Sequence, residues 1–385
     1  MLKIEQQTSP LYDYGKLYGS EYPYNVCYPS TISEVQNLVL EAIRCEHKLR
    51  VRGSGHTFNG CTLPRGNEIL IRTEKLNWFR YEERGTVTVG CGALVWDIRD
   101  LVAEQGFTMP VYNGGWAGPT LGGYINAGGF GKGSLSDEHG GLWENILSIT
   151  FVDGTGQLHC IDRRDERFKW LFASYGQLGI FVEAKLRLAP RNGLANLLYP
   201  LDYDGIVPKR QTEDPRENDH KQGESEEILF WFSLLVRPEA EKVAWNELRA
   251  FCLRHTDALT PDGGWAGPTL NGTPIGYHYN IKFLNFMPPL LYSRNEAFLV
   301  VGVMCILSID AVSDNDHVLT IEQDFIALAE RNDFELYLQA ENIGRNVKYR
   351  NYYSADVYAK FCELKKAFDP GMIINSGTFF SAEDA

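Results

Sequence analysis

The chain has 385 residues, of which 44% are apolar and 23% charged, with a formal net charge of −13 at pH 7. That length allows two domains with separate cores, and the acidic balance, with no basic run, speaks against nucleic acid or an anionic membrane as partner. No apolar run approaches the ~18 residues of a spanning helix and Met1–Tyr14 lacks the apolar core of a secretory signal, so a cytoplasmic protein with no membrane partner is expected. The eight cysteines (27, 45, 61, 91, 160, 252, 305 and 362) show no CxxC spacing, which predicts free thiols and no metal site.

In chain order, Thr31-Ile32-Ser33-Glu34 is a capping-box pattern, and Val35, Leu38, Val39 and Ile43 follow at helical spacing. Lys48–Arg52 reads as a strand running into a glycine turn. Thr86–Val89 alternates as a strand, followed by Gly90-Cys91-Gly92 and a helix ending at Gly106. Asn145–Val152 and Gln157–Ile161 read as strands around the Gly154–Gly156 turn. Asp165–Ala173 reads as a short helix and Ile180–Leu188 as a strand stopped by Pro190. Short helices alternating with strands give an α+β or α/β first domain.

Residues 204–226 are polar and dense in charge, as an exposed loop would be. Beyond them come a strand at Ile228–Val236, a helix at Glu239–His255, and strands at Tyr277–Leu284 and Ala297–Leu307. A helix at Val318–Arg331 and a strand at Phe334–Leu338 complete a β-α-β-β-α-β order, the signature of a ferredoxin-like layer. The rings of Phe230, Trp231, Phe232, Tyr277, Tyr279 and Phe283 suggest a flat apolar pocket in this region. A last helix, Ala355–Phe368, starts after Ser354 and stops before Pro370. The octapeptide GGWAGPTL occurs twice, at 114–121 and 263–270, and suggests no function.

Chemistry concentrates in the glycine turns. In Val51–Gly60 a histidine, His56, sits inside a turn whose glycines let backbone N–H groups converge on an anion. With the glycine-rich run Gly114–Gly141 and Gly176-Gln177-Leu178-Gly179-Ile180, this suggests a chain folded around a nucleotide cofactor. Three look-alikes fail on their details. Gly90-Cys91-Gly92 lacks the third glycine and the later acid of a dinucleotide fingerprint. Gly131-Lys132-Gly133 lacks the Ser/Thr of a P-loop, and Glu138-His139 is followed by helix-breaking glycines.

The ordered set Arg52–Thr57 (RGSGHT), Gly122–Gly131, Gly176–Ile180 and Phe361–Phe380, with its Lys-x-x-x-Asp-Pro-x-x-x-x-Asn-x-Gly segment, resembles the vanillyl-alcohol oxidase family of PCMH-type FAD enzymes. Tyr175–Lys185 and Asn126-Ala127-Gly128 are most similar to cytokinin dehydrogenases within it. The resemblance covers about 190 N-terminal and about 35 C-terminal residues; the middle agrees only in strand order. It implies an α+β, two-domain PCMH-type FAD-binding fold: an FAD domain in residues 1–192, completed by 346–385, and a ferredoxin-like substrate domain in 193–345. By the same resemblance Arg52, Gly53, Ser54, Gly55, His56, Thr57, Thr120, Gly122, Gly123, Ala127, Gly128, Gly131, Gly179, Ile180 and Asn375 would bind FAD. His56 would carry it covalently through the 8α-methyl, while Trp116 stands where some relatives have a second, cysteinyl link.

One departure bears on the reaction. Cytokinin dehydrogenases carry an aspartate ahead of the Gly-Gly loop, whereas Gly106–Ser136 contains no Asp or Glu. A base is therefore expected from the substrate domain, where Glu341, Tyr337 and Lys348 are the candidates. Glu341 comes first, with Tyr337 as a hydrogen-bond partner of the substrate. The expected activity is oxidation of a C–OH or C–N bond of a small molecule by hydride transfer to the flavin, with O₂ or another acceptor regenerating it. The alternative is a flavin-retaining binding protein without a working base.

Overall fold

A computed structural model describes residues 3–82, 85–113, 118–131, 140–191, 228–261, 277–281, 285–291, 297–338 and 349–378. The chain is α+β, and the two domains are built on different sheets. The expected boundaries after residues 192 and 345 fall outside the described residues, as does the charged segment 204–226.

The first sheet contains β1 (Glu5–Gln7), β2 (Tyr24–Cys27), β3 (Leu49–Arg52) and β4 (Ile69–Arg72) in the order β1-β2-β4-β3. Strands β2 and β3 both run parallel to β4. Between them lies α1 (Ile32–Arg44), and its capping box forms as read: Thr31 Oγ1 accepts from Glu34 N at 3.2 Å, and Glu34 reaches back to the Thr31 N–H. Val35, Leu38, Val39 and Ala42 are buried against this sheet, whereas Ile43, expected inward, is exposed.

The second sheet orders β5 (Phe79–Glu82), β6 (Thr86–Gly90), β8 (Ile146–Val152), β9 (Leu158–Asp162) and β10 (Ile180–Arg187) as β5-β6-β10-β8-β9, all antiparallel. β10 ends at Arg187, ahead of Pro190 as expected. Ala189–Pro190 (β11) pairs with Phe107–Thr108 (β7) in a two-stranded ribbon, where an absent N–H is tolerated. The helix expected over Asp165–Ala173 shrinks to a single 3₁₀ turn at Phe168–Trp170. The reason is local: Asp165 turns its carboxylate back onto Arg167 N, and Ala173 and Tyr175 adopt left-handed φ of 56° and 57°.

The C-terminal segment completes this domain. After the final helix (Ala355–Phe368, capped by Ser354), Leu49 N donates to Ile373 O and Asn375 N to Leu49 O, laying the segment along β3. Lys365 and Asp369, four residues apart, form a buried staple: Nζ donates to Asp369 Oδ2 at 2.7 Å and to the carbonyls of Gln177 and Ile374. Asp369 in turn accepts from Ile373 N and Ile374 N, so both charges are fully hydrogen-bonded.

The other domain is the β-α-β-β-α-β layer. Its strands are β12 (Ile228–Val236), β13 (Leu259–Pro261), β14 (Tyr277–Ile281), β15 (Phe298–Leu307) and β16 (Glu335–Leu336). The order is β13-β15-β12-β16, with β14 also pairing β15, and every pair is antiparallel. Strand β13 is an addition not visible in the sequence pattern. The second helix of the layer starts at Asn315, three residues early, because Asp314 caps it.

Period-two alternation along β12 divides its rings between faces. Phe232 packs on Phe251 and Phe325 of the two helices, and Phe230 on Phe232, so both belong to the core and not to a pocket. Trp231 points the other way and meets Phe58 of the first domain at 5.1 Å. The layer therefore turns its bare sheet face toward the glycine loops and its helices outward. Phe283 and the second copy of the octapeptide lie outside the described residues.

Candidate functional site

The glycine motifs, far apart in sequence, converge. Strand β3 delivers the turn 53–57 against the segment that opens the helix Leu121–Asn126. Ser54 Oγ donates to Gly118 O, and a Cβ at Gly53 would lie 2.2 Å from Thr120 Oγ1. Thr120 caps that helix by accepting from Gly123 N, and Gly122 N donates to Cys91 O. At the helix's other end Asn126 Oδ1 accepts from Ser174 Oγ (2.7 Å) and Gly176 N (2.8 Å), which ties in the Gly176–Ile180 motif. Asn375 closes the ring, accepting from Val51 N and donating to Gly176 O.

His56 stands at the centre of this arrangement. His56 as a whole is half-buried, but Nε2 is shielded from solvent and has no hydrogen-bond partner among the described residues. Burial lowers its pKa from 6.5 to about 4, so the imidazole is neutral at pH 7. A Cβ at Gly118 would overlap His56 Cδ2 and crowd Nε2 at 2.7 Å, so only glycine lets the imidazole pack this closely on the segment. A buried, orphaned ring nitrogen on a glycine turn rich in backbone N–H groups fits a bound FAD.

Several expected contacts serve the scaffold instead. Arg52 is fully buried, with its guanidinium donating to Thr62 Oγ1 and Tyr12 O. It supports the turn from behind, lying so close to Gly55 (φ +77°) that a Cβ there would clash with it. Gly179 opens β10 where a Cβ would meet Phe151 at 2.6 Å, and the Ile180 side chain is in the core. Gly131 packs on the Tyr112 carbonyl, and Gly128 (φ +100°) on Leu291. Tyr337 is buried, and its hydroxyl donates to Ala127 O at 2.7 Å, so it holds the glycine loop instead of a substrate. Glu341, Lys348, Trp116 and residues 132–139 lie outside the described residues.

Other residues of the site escaped the sequence reading. Tyr175 and Tyr353 share a hydroxyl–hydroxyl hydrogen bond of 3.0 Å, and Tyr353 donates to Leu290 O. Tyr175 thus donates to Tyr353, and burial raises both pKa values, so these phenols remain neutral donors and not bases. Glu144, buried, accepts from Arg163, Asn285 N and Asn285 Nδ2, anchoring the segment 285–291 over the first domain. Tyr14 stacks on His56 with ring centres 4.2 Å apart.

Comparison with known proteins accords with this geometry. Residues 23–162 match the FAD binding domain family. Over that stretch the chain is similar to an FAD binding domain. D-arabinono-1,4-lactone oxidase of Saccharomyces cerevisiae is 28% identical over 199 residues, covering 50% of the chain and 37% of that protein. Berberine bridge enzyme-like 25 of Arabidopsis thaliana is 31% identical over 172 residues, covering 41% of the chain and 30% of that protein. The matched stretch thus spans well under half the length of these relatives.

In fold, a BBE-like 1 variant of Physcomitrella patens matches with a TM-score of 0.66 at 14% identity, over 97% of the chain and 95% of that structure. Phl p 4, a grass pollen allergen with glucose dehydrogenase activity, matches with a TM-score of 0.62 at 15% identity, over 90% and 88%. The two-domain FAD-binding fold is therefore shared across nearly the whole chain. Among the described residues no helix is long and apolar enough to cross a membrane, and no His/Cys/Asp/Glu group could hold a metal.

Proposed function

We propose that the protein is an FAD-dependent oxidoreductase that oxidises a C–OH or C–N bond of a small molecule, with O₂ or another acceptor taking the electrons. His56 carries this reading: a neutral imidazole whose buried Nε2 has no hydrogen-bond partner among the described residues, on a glycine turn packed against Gly118. When bound, FAD supplies the two-electron acceptor chemistry, which no side chain offers. Gly53, Ser54, Gly55 and Thr57 would hold it from one loop, and Thr120, Gly122, Gly123 and Ala127 from the other. His56 would be the covalent attachment point. Within the second domain, the sheet face bearing Trp231 and Tyr337 would wall the substrate space.

Of the two bond types, C–OH has the better support. One relative is named a D-arabinono-1,4-lactone oxidase, and one structural neighbour has glucose dehydrogenase activity. The cytokinin-dehydrogenase type of amine chemistry lacks its acid, since Gly106–Ser136 contains neither Asp nor Glu. Glu341 remains the first candidate for the base that takes the hydroxyl proton. Anaerobic mixing with a panel of lactones, sugars, alcohols and amines tests the proposal. A yellow protein should bleach with a lactone, sugar or alcohol and recover colour with O₂ or an added acceptor. A flavin that no member of the panel bleaches would leave a flavin-retaining binding protein.

A further inference from the structure

We infer that Tyr14 is a positioning residue that fixes the His56 ring, and that the N-terminal hairpin Leu11–Ser20 is a wall of the flavin site. The inference rests on the reading that FAD binds at His56. The hairpin is closed by two bonds between its ends: Leu11 N donates to Ser20 Oγ (2.9 Å) and Ser20 N to Leu11 O (2.7 Å). Asp13 N donates to Tyr18 O, and Lys16 takes the left-handed φ of 60° that the tight tip requires.

That tip grips the His56 turn. Tyr14 N donates to both Gly55 O (3.1 Å) and Thr57 O (2.9 Å), so its backbone spans the residue between them, His56. Asp13 Oδ2 accepts from Gly60 N at 2.9 Å, just beyond the turn. The Tyr14 ring then lies on the imidazole at 4.2 Å and 28°, a stacked pair. With the stack on His56 and Gly118 against the Cδ2–Nε2 edge, ring rotation is blocked and Nε2 keeps one direction. A reacting group held in one direction gains through orientation, as loosely held groups do not.

The same hairpin reaches the second domain. Gly15 O accepts from Leu229 N at 2.9 Å, and Tyr18 Oη donates to the buried Glu322 Oε1 at 3.2 Å. Phe58 fills the angle between Tyr14 (5.5 Å) and Trp231 (5.1 Å). All of these hairpin residues precede residue 23, where the match to the FAD binding domain family begins. The wall is therefore built by a segment outside the matched domain.

The test uses the purified full chain as the parent, Tyr14→Phe, Tyr14→Leu and His56→Ala. Two quantities are read: flavin per chain, and the share of flavin that stays in the pellet after acid precipitation. A third is the His56 ring Cε1–H resonance in histidine-labelled protein, assigned by its loss in His56→Ala. Tyr14→Phe should match the parent in all three. Tyr14→Leu should lose about tenfold or more of the acid-stable flavin and shift the His56 resonance as the stacked ring is removed. If Tyr14→Leu fails to fold, Tyr14→Met serves in its place, with the same expectation.

A parent chain with acid-stable flavin and a Leu or Met variant equal to it would overturn the positioning role alone. A parent that takes up no flavin, or whose flavin stays acid-stable in His56→Ala, would instead overturn the reading beneath it and the inference with it.

Discussion

Tyr337 of the second domain donates its hydroxyl to the Ala127 carbonyl of the glycine loop at 2.7 Å, and its ring meets Phe130 at 4.8 Å. Through this pair the sheet of one domain rests directly on the loop expected to bind FAD in the other. Removing only the hydroxyl separates this role from catalysis. Tyr337→Phe leaves a partly buried acceptor without this donor, at a cost of about 1 kcal/mol. Flavin content should stay normal, and the rate of flavin reduction should fall less than about tenfold. Glu341→Gln should instead slow reduction about 100-fold at normal flavin content, the usual scale for a lost general base. Stopped-flow reduction of both variants with one substrate makes the comparison.

Asn375 joins three segments: it accepts from Val51 N, donates to Gly176 O, and passes its own carbonyl to Gln177 Nε2. It also holds a left-handed φ of 51°, which Asn tolerates better than most residues. Asn375→Ala strands a partly buried donor, Val51 N, and a buried acceptor, Gly176 O. The expected loss is about 2–3 kcal/mol, read by denaturant unfolding, together with looser flavin. A variant as stable as the parent would mean that water replaces both bonds.

The elements that sequence revealed are those whose signals are local. Thr31 and Glu34 lie three residues apart and cap the same helix, and the alternation of strand, helix and turn in 228–338 follows its own periodicity. Glycine motifs were legible for a similar reason, since each needs its own backbone conformation. Faces of β12 were not legible: Ile228–Val236 is a nearly unbroken apolar run, and only the packed partners separate Phe230 and Phe232 from Trp231. The resemblance implied Arg52 as a ligand contact, but its Nη1 and Nη2 donate to Thr62 Oγ1 and Tyr12 O. Tyr14 acts only through residues more than forty positions on, and no spacing rule reaches that far.

Lys365 and Asp369 form a fully buried ion pair that also serves the Gln177 and Ile374 carbonyls. Lys365→Met removes one charge and leaves the other without its partner. The expected cost is about 3 kcal/mol or more, and the C-terminal segment should become the first site of protease cleavage. Changing both residues, Lys365→Met with Asp369→Asn, should recover part of that stability, because no uncompensated charge remains.

Asp13 supplies a pH signature for the hairpin. Burial raises its pKa from 3.8 to about 7, outweighing the bond from Gly60 N–H and the nearby Arg52 charge, both of which favour the carboxylate. Between pH 4 and pH 7 the folded chain therefore holds a proton on Asp13 that the unfolded chain has released. Stability from this group is present at low pH and is lost as pH rises, at about 1.4 kcal/mol per pH unit across that window. His56, with its pKa lowered to about 4, has the opposite sign in the flavin-free chain: its contribution is lost as pH falls from 6.5 toward 4. Asp13→Asn cannot titrate, so its stability relative to the parent should climb steadily from pH 4.5 to pH 7 and level off above. Urea unfolding of both chains at half-unit pH steps reads this difference directly. A flat difference across the window would mean that Asp13 is already ionised in the fold, with Arg52 dominating its surroundings.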